Sequence, residues 1–140
     1  MTVLYTAEAL STGEGRNGHV RSTDGRVDLD MAVPVEMGGS GNGSNPEQLF
    51  AAGYAACFHS AINMVARGRK VDVTDSTVGG QVHITPNETG GFVLSVLLEV
   101  VLPGVDATVA QEIADAAHQV CPYSNATRGN IDVTITVSED

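Results

Sequence analysis

Positive charge is scarce in this sequence. Seven Lys+Arg stand against 17 Asp+Glu, a net charge of −10, and Lys70 is the lone lysine. Nucleic acids and anionic membrane surfaces select a basic face that releases counterions, so neither is an expected partner. Cysteine is nearly absent too, and two residues, Cys57 and Cys121, make no disulfide framework. Residues 1–15 lack the basic stretch and apolar run of a secretory leader, so the expected location is cytoplasmic. No repeat, charge block or long linker interrupts the 140 residues, which predicts a single domain over 1–140.

What is present suffices for a core, since 42% of the residues are hydrophobic. Residues 48–66 carry no formal charge and approach membrane-spanning length. Much of that run is alanine, however, and Gln48, His59, Ser60 and Asn63 are polar, so a deeply buried helix is predicted rather than a membrane span. Asn45 is a suitable N-cap, Pro46 suits the first helical position and Glu47 suits the helix dipole, so the helix should run from Pro46 to about Ala66 and stop at Gly68. Apolar residues on all sides from Leu49 to Phe58 mark it as central.

Strands surround it. Val27, Leu29, Met31, Val33 and Val35 alternate with Asp28, Asp30, Ala32 and Pro34, a period of two, with Pro34 at the strand's end or at an edge. The turn Thr23-Asp24-Gly25-Arg26 joins this strand to a shorter one near His19–Ser22. Strands near Thr77–Ile84 and Phe92–Leu102 form a hairpin through Pro86–Gly91. A second helix begins near Asp106 or Thr108, where Thr108 and Gln111 fit a capping box. Val109, Ile113, Ala116, Ala117 and Val120 make its apolar stripe, and Pro122 ends it at Cys121. Ile131, Val133, Ile135 and Val137 alternate in a last strand. The order β-β-α-β-β-α-β predicts an α+β sandwich of antiparallel sheet and helices.

Chemistry rests on few residues. Cys57 in the first helix and Cys121 at the end of the second could meet in the interior. Read from the residues alone they are equally two small buried hydrophobes, inert because desolvation raises a thiol's pKa. A nucleophilic Cys57 needs a nearby cation, and that cation needs its own carboxylate. His118 and Cys121 have acceptable metal-ligand spacing, but Cys57 and His59 point about 200° apart on a helix, so no zinc site is expected. His19 and His83 read as ordinary strand or loop residues. The glycine-rich loop 38–45 lacks both the Gly-Lys-Ser/Thr ending and the dinucleotide spacing of a phosphate cradle. Asn42, Asn87 and Asn125 lie in glycosylation sequons, which carry no meaning without export.

Two long segments go further. Residues 45–58, NPEQLFAAGYAACF, and 120–130, VCPYSNATRGN, resemble the two signatures of the organic hydroperoxide resistance proteins, a branch of the wider family shared with osmotically inducible protein C. Gly15-Arg16-Asn17-Gly18 with Ser22-Thr23-Asp24-Gly25 is similar to that branch's N-terminal arm. Order, spacing and length fit over essentially the whole chain. The resemblance implies the OsmC/Ohr-like fold, with antiparallel sheets packed around two central helices in an intertwined homodimer. It implies a thiol-dependent peroxidase that reduces organic hydroperoxides, fatty-acid ones included, to alcohols. By position it makes Cys57 the peroxidatic thiol, Cys121 the resolving thiol, Arg16 the active-site arginine and Glu47 the carboxylate that holds it. It further implies a dihydrolipoyl reductant on a lipoylated protein, with no metal and no bound cofactor.

Apolar neighbours Leu49, Phe50, Tyr54, Phe58 and Tyr123 are candidates for a pocket around an alkyl chain, and equally for plain core. Glu47 and Cys57, ten residues apart, are separated by about 15 Å along a helix. An antiparallel partner helix crossing near Ala52 and Gly53 would bring a second subunit's Glu47 to Cys57, with Ala51, Ala52, Gly53, Ala55 and Ala56 permitting close approach. Two other readings stay open: the sister branch with a broader peroxide range, and a non-catalytic redox sensor or apolar-ligand binder.

Overall fold

The computed structural model describes residues 1–140. They form two compact units, Met1–Leu49 and Phe50–Asp140. The α+β class expected from the sequence is seen in two three-stranded sheets and three helices.

The first unit holds an antiparallel sheet of β1 (Ala9–Thr12), β2 (His19–Ser22) and β3 (Asp28–Asp30), with His19 opposite Thr12 on one side and Asp30 on the other. β1 was not legible as a strand, because its four residues are all exposed and carry no alternation. The long strand expected over Val27–Val35 shrinks to three residues. Met31 and Ala32 are buried, but Met31 makes only an isolated parallel bridge to Ser44, and Val35–Met37 is a 3-10 turn closed by Gly38 at φ 87°. The alternation of residue types therefore outlasts the strand, since adjacent Met31 and Ala32 are both buried and no ladder continues past Asp30. The Thr23–Arg26 turn forms as expected, with the Asp24 carboxylate accepting from the Ser22 hydroxyl and the Arg26 N–H.

Helix α1 (Pro46–Gly68) starts in the first unit and continues into the second. Its start is a reciprocal cap: the Gln48 N–H donates to the Asn45 carboxamide at 2.8 Å, and the Asn45 N–H donates back to Gln48 Oε1 at 3.3 Å. It ends at Gly68 as expected, but that glycine is not the residue that closes it. Lys70, not Gly68, takes the left-handed conformation at φ 59°, with the Val71 N–H on the Ala66 carbonyl and the Lys70 N–H on that of Arg67. This pair of bonds is a Schellman closure, which satisfies the orphan carbonyls of the last turn. Although α1 has the length and composition of a membrane span, Tyr54, Phe58, Ala61, Ile62 and Ala66 along it are buried in a protein core. Ala52 and Ala56 are exposed, so the helix is one-sided rather than apolar-packed all round.

In the second unit β4 (Thr77–Pro86) and β5 (Phe92–Val101) form the expected hairpin, in register from Thr77↔Val101 to Pro86↔Phe92. The Asn87 carboxamide oxygen holds its turn by accepting from the Thr89 and Gly91 N–H groups. β6 (Val133–Ser138) pairs with β5 in parallel, so the sheet is mixed and not wholly antiparallel as expected. The reason is topological. A parallel neighbour needs a crossover, and residues 102–132 provide one through two helices. The first, α2 (Ala107–Val120), is capped by the Asp106 carboxylate on the N–H groups of Thr108 and Val109, not by a Thr108–Gln111 box. Its buried face is Ala110, Ile113, Ala114 and Ala117, while Val120 of the expected stripe is exposed. A short α3 (Pro122–Thr127) follows, unforeseen from the sequence. The core joins α1 and α2 to Val96, Leu98 and Val100 of β5. Gly80 of β4 lets the sheet approach α1, since a Cβ there would lie 2.9 Å from the Ala51 carbonyl oxygen.

Candidate active site

Arg16 sits on the 3-10 turn Gly15–Asn17 between β1 and β2. The turn depends on its glycines: Gly15 has φ 64°, and a Cβ at Gly18 would lie 2.0 Å from the Thr12 carbonyl oxygen. From this turn the guanidinium grips Glu47 with both ends, Nη1 to Oε2 at 2.9 Å and Nη2 to Oε1 at 2.7 Å. Two parallel bonds fix the plane of the arginine as well as its charge. Glu47 lies in the first turn of α1, where backbone N–H groups favour an anion. The Arg16 hydrogen bond holds the Glu47 carboxyl below the usual carboxylate range against the opposing effect of partial burial, and Arg16 is raised in return.

The two sulfurs lie in the second unit. Cys57 is half-buried in mid-α1, and Cys121 is fully buried at the junction of α2 and α3. Pro122 creates that junction. It lacks the N–H to continue α2 and supplies the fixed φ that starts α3, leaving Cys121 extended at φ −65°, ψ 126°. Both cysteines are free thiols, and their Sγ atoms are 3.6 Å apart. The two thiols thus meet in the interior, as the sequence allowed. Burial pushes the Cys57 thiol up, the backbone N–H of Tyr123 pulls it down, and the Cys121 thiol pushes it up again. On these neighbours alone Cys57 favours the protonated form, so its activation calls for a positive charge.

Aromatic rings of α1 and α3 pack against one another. Tyr123 meets Phe50 edge-on at 6.0 Å and lies 5.5 Å from Tyr54, which is in turn 6.4 Å from Phe58. Of the five residues named as pocket candidates, Tyr54 and Phe58 are fully buried core, Phe50 is half-buried, and Leu49 and Tyr123 are exposed. The open side of Gly53 is taken by Tyr123 and that of Ala51 and Ala55 by Gly80, which leaves only Ala52 and Ala56 of the small residues free for another helix.

Sequence reading missed a buried hydroxyl cluster beside the sulfurs. Tyr54 Oη lies 2.8 Å from Ser124 Oγ and 3.2 Å from Thr127 Oγ1, and His118 Nδ1 lies 2.8 Å from Ser124 Oγ. The available signal was Tyr54 itself, since a tyrosine buried on a core stripe needs a partner for its hydroxyl. His118 is therefore occupied by Ser124 and His59 by Ser76, and no three His, Cys, Asp or Glu side chains gather as a metal site. His19, expected to be ordinary, lies between two carboxylates, with Nδ1 2.8 Å from Asp30 and Nε2 2.5 Å from Asp28.

Comparison with known proteins identifies the family. The family model described as OsmC-like protein matches residues 39–136. The chain belongs to the OsmC-like family. Within it, the chain is 51% identical to the organic hydroperoxide resistance protein of Xanthomonas axonopodis pv. citri, over 97% of this chain and 96% of that one. It is 47% identical to the organic hydroperoxide resistance protein OhrB of Bacillus subtilis, over 94% of this chain and 96% of that one. Among solved structures, the organic hydroperoxide resistance protein of Elizabethkingia anophelis superposes with a TM-score of 0.95 at 50% identity, each chain covered in full. The OsmC-like chain therefore falls in the organic hydroperoxide resistance branch, as its two signatures implied.

Proposed function

We propose that this protein is a cysteine-based peroxidase that reduces organic hydroperoxides, including those of fatty acids, to alcohols. The observation that carries the reading is the 3.6 Å approach of the Cys57 and Cys121 sulfurs, both reduced. The Cys57 thiolate attacks the distal peroxide oxygen, the O–O bond breaks, the alkoxide leaves and takes up a proton, and Cys57 becomes a sulfenic acid. The Cys121 thiol then attacks that sulfur, water leaves and a disulfide forms. An external dithiol, a dihydrolipoyl group on a lipoylated protein, reopens the bridge and is itself oxidised to a cyclic disulfide.

Arg16 is assigned the positive charge that Cys57 lacks among its own neighbours, acting on the thiolate and on the leaving oxygen. Glu47 holds it through the two-point contact described above. Phe50, Tyr123 and Leu49 are assigned to the alkyl chain of the substrate, whereas Tyr54 and Phe58 act from beneath as packing. The working unit is proposed to be an intertwined homodimer in the cytoplasm. Two features support the dimer: Ala52 and Ala56 form an open strip on α1, and Leu4, Tyr5 and Leu10 are left exposed near the N-terminus. A fully active monomer by light scattering at micromolar concentration would reject it.

The deciding experiment is stopped-flow loss of reduced Cys57 on mixing with cumene hydroperoxide or hydrogen peroxide. Fast loss with the organic peroxide alone supports the proposal, and equal rates favour the broader sister branch. A rate no greater than that of free cysteine favours the non-catalytic redox sensor or apolar-ligand binder, readings that the raised Cys57 thiol would suit.

A further inference from the structure

Ser124 is fully buried, and its hydroxyl is the only point at which three helices meet through polar side chains. Tyr54 reaches it from α1, His118 from α2, and Ser124 itself belongs to α3. The sequence positions make that meeting consequential. Tyr54 is one helical turn before Cys57, His118 is three residues before Cys121, and Ser124 directly follows Tyr123. Each hydroxyl is satisfied when His118 is neutral: Ser124 donates to Nδ1, Tyr54 donates to Ser124 Oγ, and Thr127 donates to the Ser124 carbonyl at 3.2 Å. Burial and Arg128 hold His118 below its ordinary value, against the upward pull of Asp115, and so favour that neutral form. Replacing such a cluster by apolar groups of the same shape can be nearly neutral, whereas leaving one buried member unpaired is costly. A cluster of this kind therefore secures a geometry rather than adding stability.

We infer that Ser124, tied to Tyr54 and His118, is a positioning residue for the thiol pair: it pins the first turn of α3 against α1, so that the Tyr123 backbone N–H and the Cys121 sulfur both face Cys57. This rests on the thiol chemistry proposed above but assigns a different group within it. The shared hydroxyl fixes two things at once, the amide that favours the Cys57 anion and the distance over which the bridge must close. Loss of either bond to Ser124 lets the α3 turn drift, and both properties decline together.

Two measurements on the full chain test this. One is the pH dependence of Cys57 alkylation by iodoacetamide in a Cys121→Ser background. The other is the equilibrium between the Cys57–Cys121 thiols and oxidised dithiothreitol. Tyr54→Phe and Ser124→Ala should each move the alkylation profile to higher pH, slowing reaction at neutral pH about threefold or more, and each should weaken disulfide formation severalfold. His118→Asn, whose amide can replace Nδ1, should retain the wild-type profile, while His118→Ala should not. Should Ser124→Ala fail to fold, Tyr54→Phe decides, because it keeps the ring and removes only the hydroxyl. Wild-type alkylation and disulfide equilibrium in folded Tyr54→Phe would overturn the inference. Shifted values in the variants, together with a wild-type protein that consumes no organic peroxide, would uphold the inference and reject the peroxidase.

Discussion

The ring of Tyr123 lies across Gly53 of α1, so close that a Cβ at Gly53 would come within 2.5 Å of the tyrosine hydroxyl. Gly53→Ala therefore sets two effects against each other. Alanine in a helix interior gains about 1 kcal/mol over glycine, while the Tyr123 ring must shift away from its contacts with Phe50 and Tyr54. Since the hydroxyl is the outer end of a side chain that can swing, the helix gain should prevail in stability. The expected result is an unchanged or slightly raised melting temperature, with severalfold slower reaction of Cys57 with cumene hydroperoxide.

The two sulfurs separate cleanly by substitution. Cys57→Ser should abolish turnover of an organic peroxide with dihydrolipoamide. Cys121→Ser should consume about one equivalent and then stall or over-oxidise, because no thiol remains at 3.6 Å to trap the sulfenic acid. Mass spectrometry of the stalled protein reads the added oxygens directly.

Glu47 has its carboxyl pKa lowered in the folded state, chiefly by Arg16. A depressed carboxylate contributes stability that is present above its ordinary value of 4.5 and is lost as pH falls through the lower folded value. Glu47→Gln should thus flatten the acid limb of the stability curve below pH 4.5. Chemical denaturation across that range checks it. The same variant frees the guanidinium, so peroxide reactivity should fall at neutral pH as well.

His19 has the opposite sign. Its pKa is raised, first by Asp30 and then by Asp28. The contribution is therefore complete below the ordinary value of 6.5 and disappears as pH rises through the higher folded value. Amide exchange across β2 and β3 should quicken over that rise beyond what the intrinsic exchange rate explains, and His19→Gln should remove the excess. The pair is exposed, so the effect should fade in high salt.

Local signals carried much of this architecture. Asn45, Pro46 and Pro122 marked helix boundaries correctly because each acts through its own backbone and that of its neighbours. The hairpin at Pro86–Gly91 was legible for the same reason. What escaped depends on distant partners. The parallel seat of β6 is fixed by the α2–α3 crossover, and β1 exists only through its pairing with β2. Lys70 takes a left-handed conformation that composition would assign to Gly68. In the site, the signatures pointed to Cys57, Cys121, Arg16 and Glu47. Ser124 and Thr127 lie in the second signature without being singled out, because only the fold brings them to the hydroxyl of Tyr54.

Cys121 donates its N–H to the Ala117 carbonyl and accepts the Asn125 N–H on its own carbonyl, each at 2.9 Å. Its main chain is thus clamped by one helix from behind and by another from ahead. Bridging requires the sulfurs to draw together by about 1.5 Å, to a bond near 2.05 Å. With the peptide units anchored, that travel falls to rotation about the Cα–Cβ bonds of the two cysteines. Closure then belongs with rotamer hops rather than helix unwinding, and its rate should be largely indifferent to mild denaturant.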